Sequence, residues 1–391
     1  MEVPVVWRGR RVHAFVPQLL ADRDLSLDHQ AASRCGAAGT SVDRGAEALP
    51  DDYAPLARLL LRAEGVASSY IEGVAAPVVD VILAEHAGPG GHTPAAWVAA
   101  NLAATEQAIV HAGGTERLTV EELCRWHAAL MAGSPTPAQH VGRLREEQGW
   151  IGGTSPLDAH LVTPPPGELA GLLEDLVVFV NDAGISRSAV DPIAAAAIAH
   201  AQFEVIHPFA DGNGRIGRVL VSWLLTRRLR LLTPPPVSVH LAADVGGYTA
   251  GLTQYRFGQT SAWVTWFADA VSGAGRAQSE LVGAVDRIRA GWQTKLAAHG
   301  RARALRADAA AWRVLALLPR HLVLTAPVVS EALGVTGKAA REALRTLADV
   351  GVLTAYDSAS GTIGSPGRGR PARLYVSEEL LGLAGSSPLR R

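Results

Sequence analysis

Apolar residues recur at helical spacing along most of this chain, and glycine and proline break the pattern into segments. PLARLLLRAEGVA (55–67) and PVVDVILAEHA (77–87) read as two helices, followed by loop signals in GPGGHTP (88–94). A long helical run covers Ala95 to His111. TVEELCRWHAALM (119–131) predicts another helix, with Thr119 as N-cap and Glu122 three residues on. GELAGLLEDLVVFVNDA (167–183) repeats the pattern. DPIAAAAIAHAQFEVI (191–206) predicts an apolar, alanine-rich helix, opened by an Asp191 cap and Pro192 in the first position. RVLVSWLLTRRLRLL (218–232) reads as a further buried helix ended by TPPP, and helices continue to about residue 300. No repeat of fixed period is visible.

Two segments depart from this rhythm. EEQGWIGGTSPLDAHLVTPPP (146–166) combines glycine, proline and short β-prone pieces, which predicts a hairpin. Residues 306–355 predict a helix, a short helix ending at Gly334 and a longer one from about Thr336, with Leu333, Val335, Ala340, Leu344 and Leu347 as their core. That is helix-turn-helix spacing. VLTAY then reads as a strand, and GSPGRGRPARLYV (364–376) as a basic wing and return strand.

The chain has 391 residues, 48% of them hydrophobic, enough for a large core and two or three domains. A net charge of −1 makes any nucleic-acid-binding patch a local one. Such a patch exists near the end, where residues 361–391 hold five arginines against two glutamates. Two cysteines, Cys35 and Cys124, cannot build a disulfide framework or a zinc cage. No apolar run reaches the roughly 18 residues of a membrane span, and MEVPVVWRGRRVHAF lacks the apolar region of a signal peptide. The expectation is a cytoplasmic protein without membrane contact.

The chemistry concentrates in HPFADGNGRIGR (207–218). GNGRIG fits G-x-G-x-x-G, but an alanine-rich helix precedes it, and Pro235, Pro236 and Val237 stand where a dinucleotide fold needs an acid. No Lys-Ser/Thr follows, so a P-loop fails as well. A plain turn explains Gly212 and Gly214 but not His207, Asp211, Arg215 and Arg218 around them. An anion site explains all of them. Glycines let successive N–H groups converge, and a helix beginning near Arg215 adds its positive end. Arg215 and Arg218 share one helix face and suit phosphate oxygens. Asp211 is a hard carboxylate for Mg²⁺ alongside substrate phosphates. His207 is a fitting general base at neutral pH.

HPFADGNGRIGR resembles the Fic (filamentation induced by cAMP) motif HxFx(D/E)GNGRxxR at every fixed position. The resemblance implies a mainly α fold with a Fic helical-bundle core and a β-hairpin flap. It also implies transfer of AMP from ATP, with Mg²⁺, to a Ser, Thr or Tyr hydroxyl of a target protein and of the chain itself. His207 would take the hydroxyl proton, Phe209 would anchor the loop, and Asp211 would bind the metal. Gly212, Asn213 and Gly214 would cradle phosphates, Arg215 and Arg218 would hold the β- and γ-phosphates, and Tyr248 would lie near the adenine. SSYIEG (68–73) resembles the family's inhibitory helix, (S/T)xxxE(G/N), rather than a capping box, because Gly73 follows Glu72 at the end of a helical run. Ser68 and Glu72 would then restrain Arg218. The 146–166 hairpin resembles the family's flap, with Ile151, Gly152 and Gly153 near the target's backbone; the bland alternative is an ordinary surface hairpin.

The C-terminal segment resembles the winged helix often attached to Fic cores. Lys338, Arg341, Arg345, Arg368 and Arg370 are the candidates for facing DNA; the alternative is a winged helix that binds protein or a second copy of itself. The expected organisation is a helical region over 1–100, a catalytic core over 101–275, a helical linker over 276–305 and the winged helix over 306–391. Expected partners are a hydroxyl-bearing target protein, DNA and, in a homodimer, a second copy. The competing readings are a DNA-binding regulator whose core senses nucleotide or modifies itself, an enzyme that removes AMP, and an enzyme with another nucleotide donor.

Overall fold

A computed structural model describes residues 1–49, 54–88, 90–182, 190–303, 309–318, 321–357 and 373–385. The chain opens with a hairpin of β1 (Glu2–Trp7) and β2 (Arg10–Phe15), paired so that Trp7 faces Arg10. The helical region expected over residues 1–100 therefore begins with a strand pair. The period is two here: Val12 and Ala14 turn inward while Arg11 and His13 stay exposed. Arg8 (φ 46°) and Gly9 (φ 78°) make the two-residue left-handed turn that tight hairpins favour.

Four helices follow: α1 (His29–Glu47), α2 (Ala54–Ile71), α3 (Val78–Ala87) and α4 (Pro94–Gly113). Side-chain caps from Asp28 and Thr93 open α1 and α4. Next comes α5 (Val120–Leu130), capped by Thr119 onto the Glu122 N–H as the sequence predicts. The short hairpin β3 (Trp150–Ile151) and β4 (Leu161–Val162) sits between α5 and α6 (Leu169–Asp182). Then come α7 (Pro192–Ile206), α8 (Asn213–Leu229), α9 (Val237–Ala243), α10 (Val245–Arg256) and the 44-residue α11 (Thr260–Arg303). Residue 275, expected as a boundary, lies inside α11.

Helix α7 is the axis of the main core, buried from Ile193 to Ile206. Asp191 caps it by accepting from Ile193 and Ala194 N–H. Its alanines at 194–197 let neighbouring helices approach closely, and α6, α8, α10 and α11 pack around it. Helix α1 lies along α11 at a small-residue crossing: a Cβ on Gly275 would stand 2.6 Å from the Ser41 carbonyl oxygen.

The C-terminal part comprises α12 (Ala310–Leu317), β5 (Val323–Leu324), α13 (Ala326–Leu333), α14 (Gly337–Asp349), β6 (Thr354–Asp357), β7 (Arg373–Val376) and α15 (Glu378–Gly385). Its strands form an antiparallel sheet in the order β5-β7-β6. Ala340, Leu344 and Leu347 are fully buried there, and Leu333 and Val335 pack against them. The same core takes in Leu56 and Leu59 of α2, Ile82 of α3, and Trp292 and Leu296 of α11. Arg368 and Arg370 lie outside the described residues. No helix among the described residues is long and apolar enough to cross a membrane.

Candidate active site

The end of α7 and the start of α8 build the site. His207 caps α7 in the left-handed conformation, φ 51° and ψ 60°, with its N–H bonded to Phe203 O at 2.9 Å. Its Nδ1 lies 3.3 Å from Glu204 O. A carbonyl only accepts, so Nδ1 carries the proton and Nε2 keeps a lone pair. Burial lowers the imidazole to about 4, so it stays neutral at pH 7.

The loop that follows is fixed from two sides. Asn213 pairs both ends of its carboxamide with Phe209, accepting from its N–H and donating to its carbonyl, both at 2.8 Å. Phe209 is buried and stacks on the His127 ring at a centroid distance of 4.0 Å. His127 donates from Nε2 to Asp211 O at 3.0 Å and accepts the Gly142 N–H at Nδ1. Phe209 therefore anchors the loop as expected. Asn213 holds its side chain inside the loop, and its backbone N–H lies in the first turn of α8. Asp211 is exposed, with one carboxylate oxygen on the Gly212 N–H and the other on the Thr136 hydroxyl.

Gly212 (φ 75°) turns the chain into α8, whose first N–H groups have no partner within the helix. Beside them stands Glu72, just past the end of α2, where Gly73 adopts φ 76°. Gly214 makes room for it: a Cβ there would collide with Glu72 Oε1. Arg218, 2% exposed, donates to Glu72 Oε1 at 2.8 Å, to Ser68 Oγ at 2.9 Å, to Ser68 O at 2.8 Å and to Tyr248 Oη at 3.4 Å. Burial alone would lower the guanidinium pKa, but Glu72, Tyr248 and Glu204 hold it above its ordinary value. Arg215 is also buried; its Nη2 donates to Met131 Sδ at 3.8 Å, and its Nε has no partner among the described residues. An arginine with an unused buried donor beside a helix N-terminus is suited to an anion.

Tyr248 departs from expectation. It is 3% exposed, and its hydroxyl joins His200 Nε2 at 2.8 Å, so it lies behind Arg218 rather than in an open cleft for a base. The glycines of the flap are required by the hairpin itself. Gly152 (φ 71°) and Gly153 (φ 69°) sit where a Cβ would strike His160 and Asp158 within the hairpin itself. Ile151 pairs with Leu161. Lys338, Arg341 and Arg345 are exposed on α14, remote in sequence from this site.

Residues 117–225 match the Fic/DOC family. The chain carries a Fic domain. Over 112 residues it is 31% identical to protein adenylyltransferase fic-1 of Caenorhabditis elegans, and over 110 residues 36% identical to protein adenylyltransferase Fic of Drosophila erecta. These matches cover 29% and 28% of this chain and only 20% of each relative. The fold likeness reaches further. A Fic family protein from Desulfovibrio desulfuricans aligns over 90% of this chain and 97% of its own, with a TM-score of 0.52 at 21% identity. A fragment of C. elegans Fic-1 aligns over 63% of this chain and 72% of its own, with a TM-score of 0.50 at 21% identity.

Several residues around the Fic motif gave no sequence signal. Glu64 accepts the Ser238 N–H and hydroxyl at the start of α9, and burial raises it to about 7. Glu204 and His200 form a buried polar pair behind Arg218, with burial raising the acid to about 8 and lowering the imidazole to about 3. Lone Glu and His residues in an apolar helix carry no spacing that marks them. Only the glycine at 217 hints at them, since a Cβ there would strike both.

Proposed function

We propose that this chain transfers AMP from ATP to a hydroxyl side chain of a protein, itself included, and that Glu72 restrains the reaction. The carrying observation is the α7–α8 turn: it ends α7 at a His207 whose Nε2 keeps a lone pair and opens α8, whose first turns hold the buried Arg215 and Arg218. The names of the relatives that match the Fic domain support the reaction class. His207 accepts the proton of the attacking hydroxyl. The helix N-terminus and the two arginines bind the phosphates and stabilise charge as pyrophosphate leaves. Asp211 fits a magnesium ion, being a single exposed carboxylate next to a phosphate site. Among the described residues no group of three or more His, Cys, Asp or Glu gathers to bind a metal unaided. Bound there, the ion would neutralise phosphate charge.

Ser68 and Glu72 engage Arg218 through its Nε and Nη2, so the arginine is committed to α2 and not to a γ-phosphate. α-Labelled ATP with Mg²⁺, applied to wild type, Glu72→Gly and Glu72→Gly/His207→Ala, tests the reading. Label on protein only or mainly in the single variant supports it. No label in any of the three, with ATP still bound, rejects AMP transfer in favour of nucleotide sensing or another donor.

A second reading concerns the C-terminal part. The order helix, strand, helix, helix, strand, strand and the exposed Lys338, Arg341 and Arg345 on α14 favour a winged helix that binds duplex DNA.

A further inference from the structure

Arg145 lies between α5 and β3, outside the glycine-rich motif. It is 5% exposed, and among the described residues its guanidinium bonds to carbonyls alone. Nε donates to His207 O at 2.8 Å and Nη1 to Glu147 O at 2.8 Å. Nη2 donates to Pro164 O at 2.5 Å and Ile206 O at 3.5 Å. Its backbone N–H reaches Pro208 O at 2.9 Å. One side chain thus grips both roots of the flap, at Glu147 and Pro164, and the carbonyls of Ile206 and His207, while the backbone N–H of the same residue holds Pro208 O. Gly149 admits it, since a Cβ there would stand 2.9 Å from Arg145 Nε and 2.8 Å from Thr163 Oγ1.

Two facts argue that this is more than packing. A buried cation without a carboxylate is a costly way to tie a loop. The residue it grips is also the non-glycine His207 in left-handed backbone geometry, a state that persists only when its surroundings over-determine it. Beside it opens a cavity of about 240 Å³ lined by His140, Glu146, Glu147, Trp150, His207 and Ala210 among others. That cavity connects the flap strand to the imidazole.

We propose that Arg145 is a positioning residue for the transfer: it holds His207 in its left-handed conformation and ties the flap to it, so that a hydroxyl presented along β3 arrives at Nε2. This rests on the AMP-transfer reading. The charge of Arg145 contributes too. Burial is the main cause of the depressed imidazole; Arg145 lowers it further, while Glu72 and Asp211 raise it. His140, Glu146 and Glu147 are the other titratable groups lining the cavity beside it.

The test is an NMR titration of His207, assigned against His207→Ala, with amide exchange of residues 147–165. Both use the full chain without nucleotide, so neither depends on AMP transfer. In Arg145→Gln the His207 midpoint rises from about 4 but stays below 6.5, because burial still lowers it, and the flap amides exchange faster. In Arg145→Lys the midpoint stays low while the flap still loosens, because a point charge cannot span four carbonyls. In a Glu72→Gly background, Arg145→Gln lowers kcat by about 10- to 100-fold and leaves KM for ATP unchanged. Unchanged midpoint and flap exchange in Arg145→Gln overturn the proposal. If that variant does not fold, Gly149→Ala displaces the guanidinium from a chain that keeps its charge; the flap amides then exchange faster, and unchanged exchange overturns the proposal. Absent labelling alongside the expected NMR and exchange changes would count against AMP transfer alone.

Discussion

Glu72 and Arg218 meet across the N-terminus of α8, and that contact decides what else can sit there. Glu72 is one-third exposed, so water screens the pair and its strength falls below that of a fully buried one. On the proposed reading, a closed bias of roughly 2–3 kcal/mol would suppress AMP transfer about 30- to 150-fold. Glu72→Gly is expected to raise AMP transfer by that factor, measured as initial rates of protein labelling; equal rates would remove the restraint. Glu204 gives a pH-dependent expectation. Burial raises it from 4.5 to about 8. The unfolded chain releases this proton from about pH 4.5, while the folded chain keeps it up to about pH 8. The stability contribution is therefore full below pH 4.5 and declines as pH rises to 8. Glu204→Gln has no such decline. Its melting temperature should gain on wild type between about pH 5 and 8, and a constant offset would exclude the effect. Glu204 also shows where sequence reading stops. The motif revealed His207, Asp211 and Arg218 because their spacing is periodic and local. Glu204, His200 and Arg145 are defined by contacts made in space, and Tyr248 turned away from its expected place because its hydroxyl found His200.

The helices were legible because their apolar faces, caps and stops are written locally. Asp191, Thr119 and Gly334 mark ends that the structure keeps. The first hairpin was not read, since Val12 and Ala14 alternate over too few residues to stand out from basic neighbours. The length of α11 was hidden too. Nothing in the sequence near Gly275 breaks a helix, and its role is a crossing with α1. A side chain at Gly275 would meet backbone, at 2.6 Å from Ser41 O and 2.8 Å from Val42 N, and backbone yields little. Gly275→Ala should therefore destabilise the protein by about 1–3 kcal/mol, against the small gain alanine brings to an open helix position. Thermal denaturation checks this; a neutral or stabilising result would mean that α1 can shift away.

The molecule has two main cores, and α2 belongs to both. Its start, at Leu56 and Leu59, is buried with the C-terminal helices, while its end carries Ser68 against Arg218. Helix α15 packs on α2 and α3 and is held to α11 by Glu379, which accepts from Trp292 Nε1 and Lys295 Nζ. Full-length protein is expected to retard duplex DNA at low salt and to release it as salt rises, with Arg341→Glu/Arg345→Glu weakening binding at least tenfold. Absence of binding at low salt would remove DNA as the partner.

A helix anchored at both ends makes the two ends answerable to one another. If a ligand of the C-terminal part prefers the chain with α2 displaced, it raises ATP affinity by some factor. ATP must then raise that ligand's affinity by the same factor. The nucleotide level around the protein would thereby set how tightly its far end holds a partner.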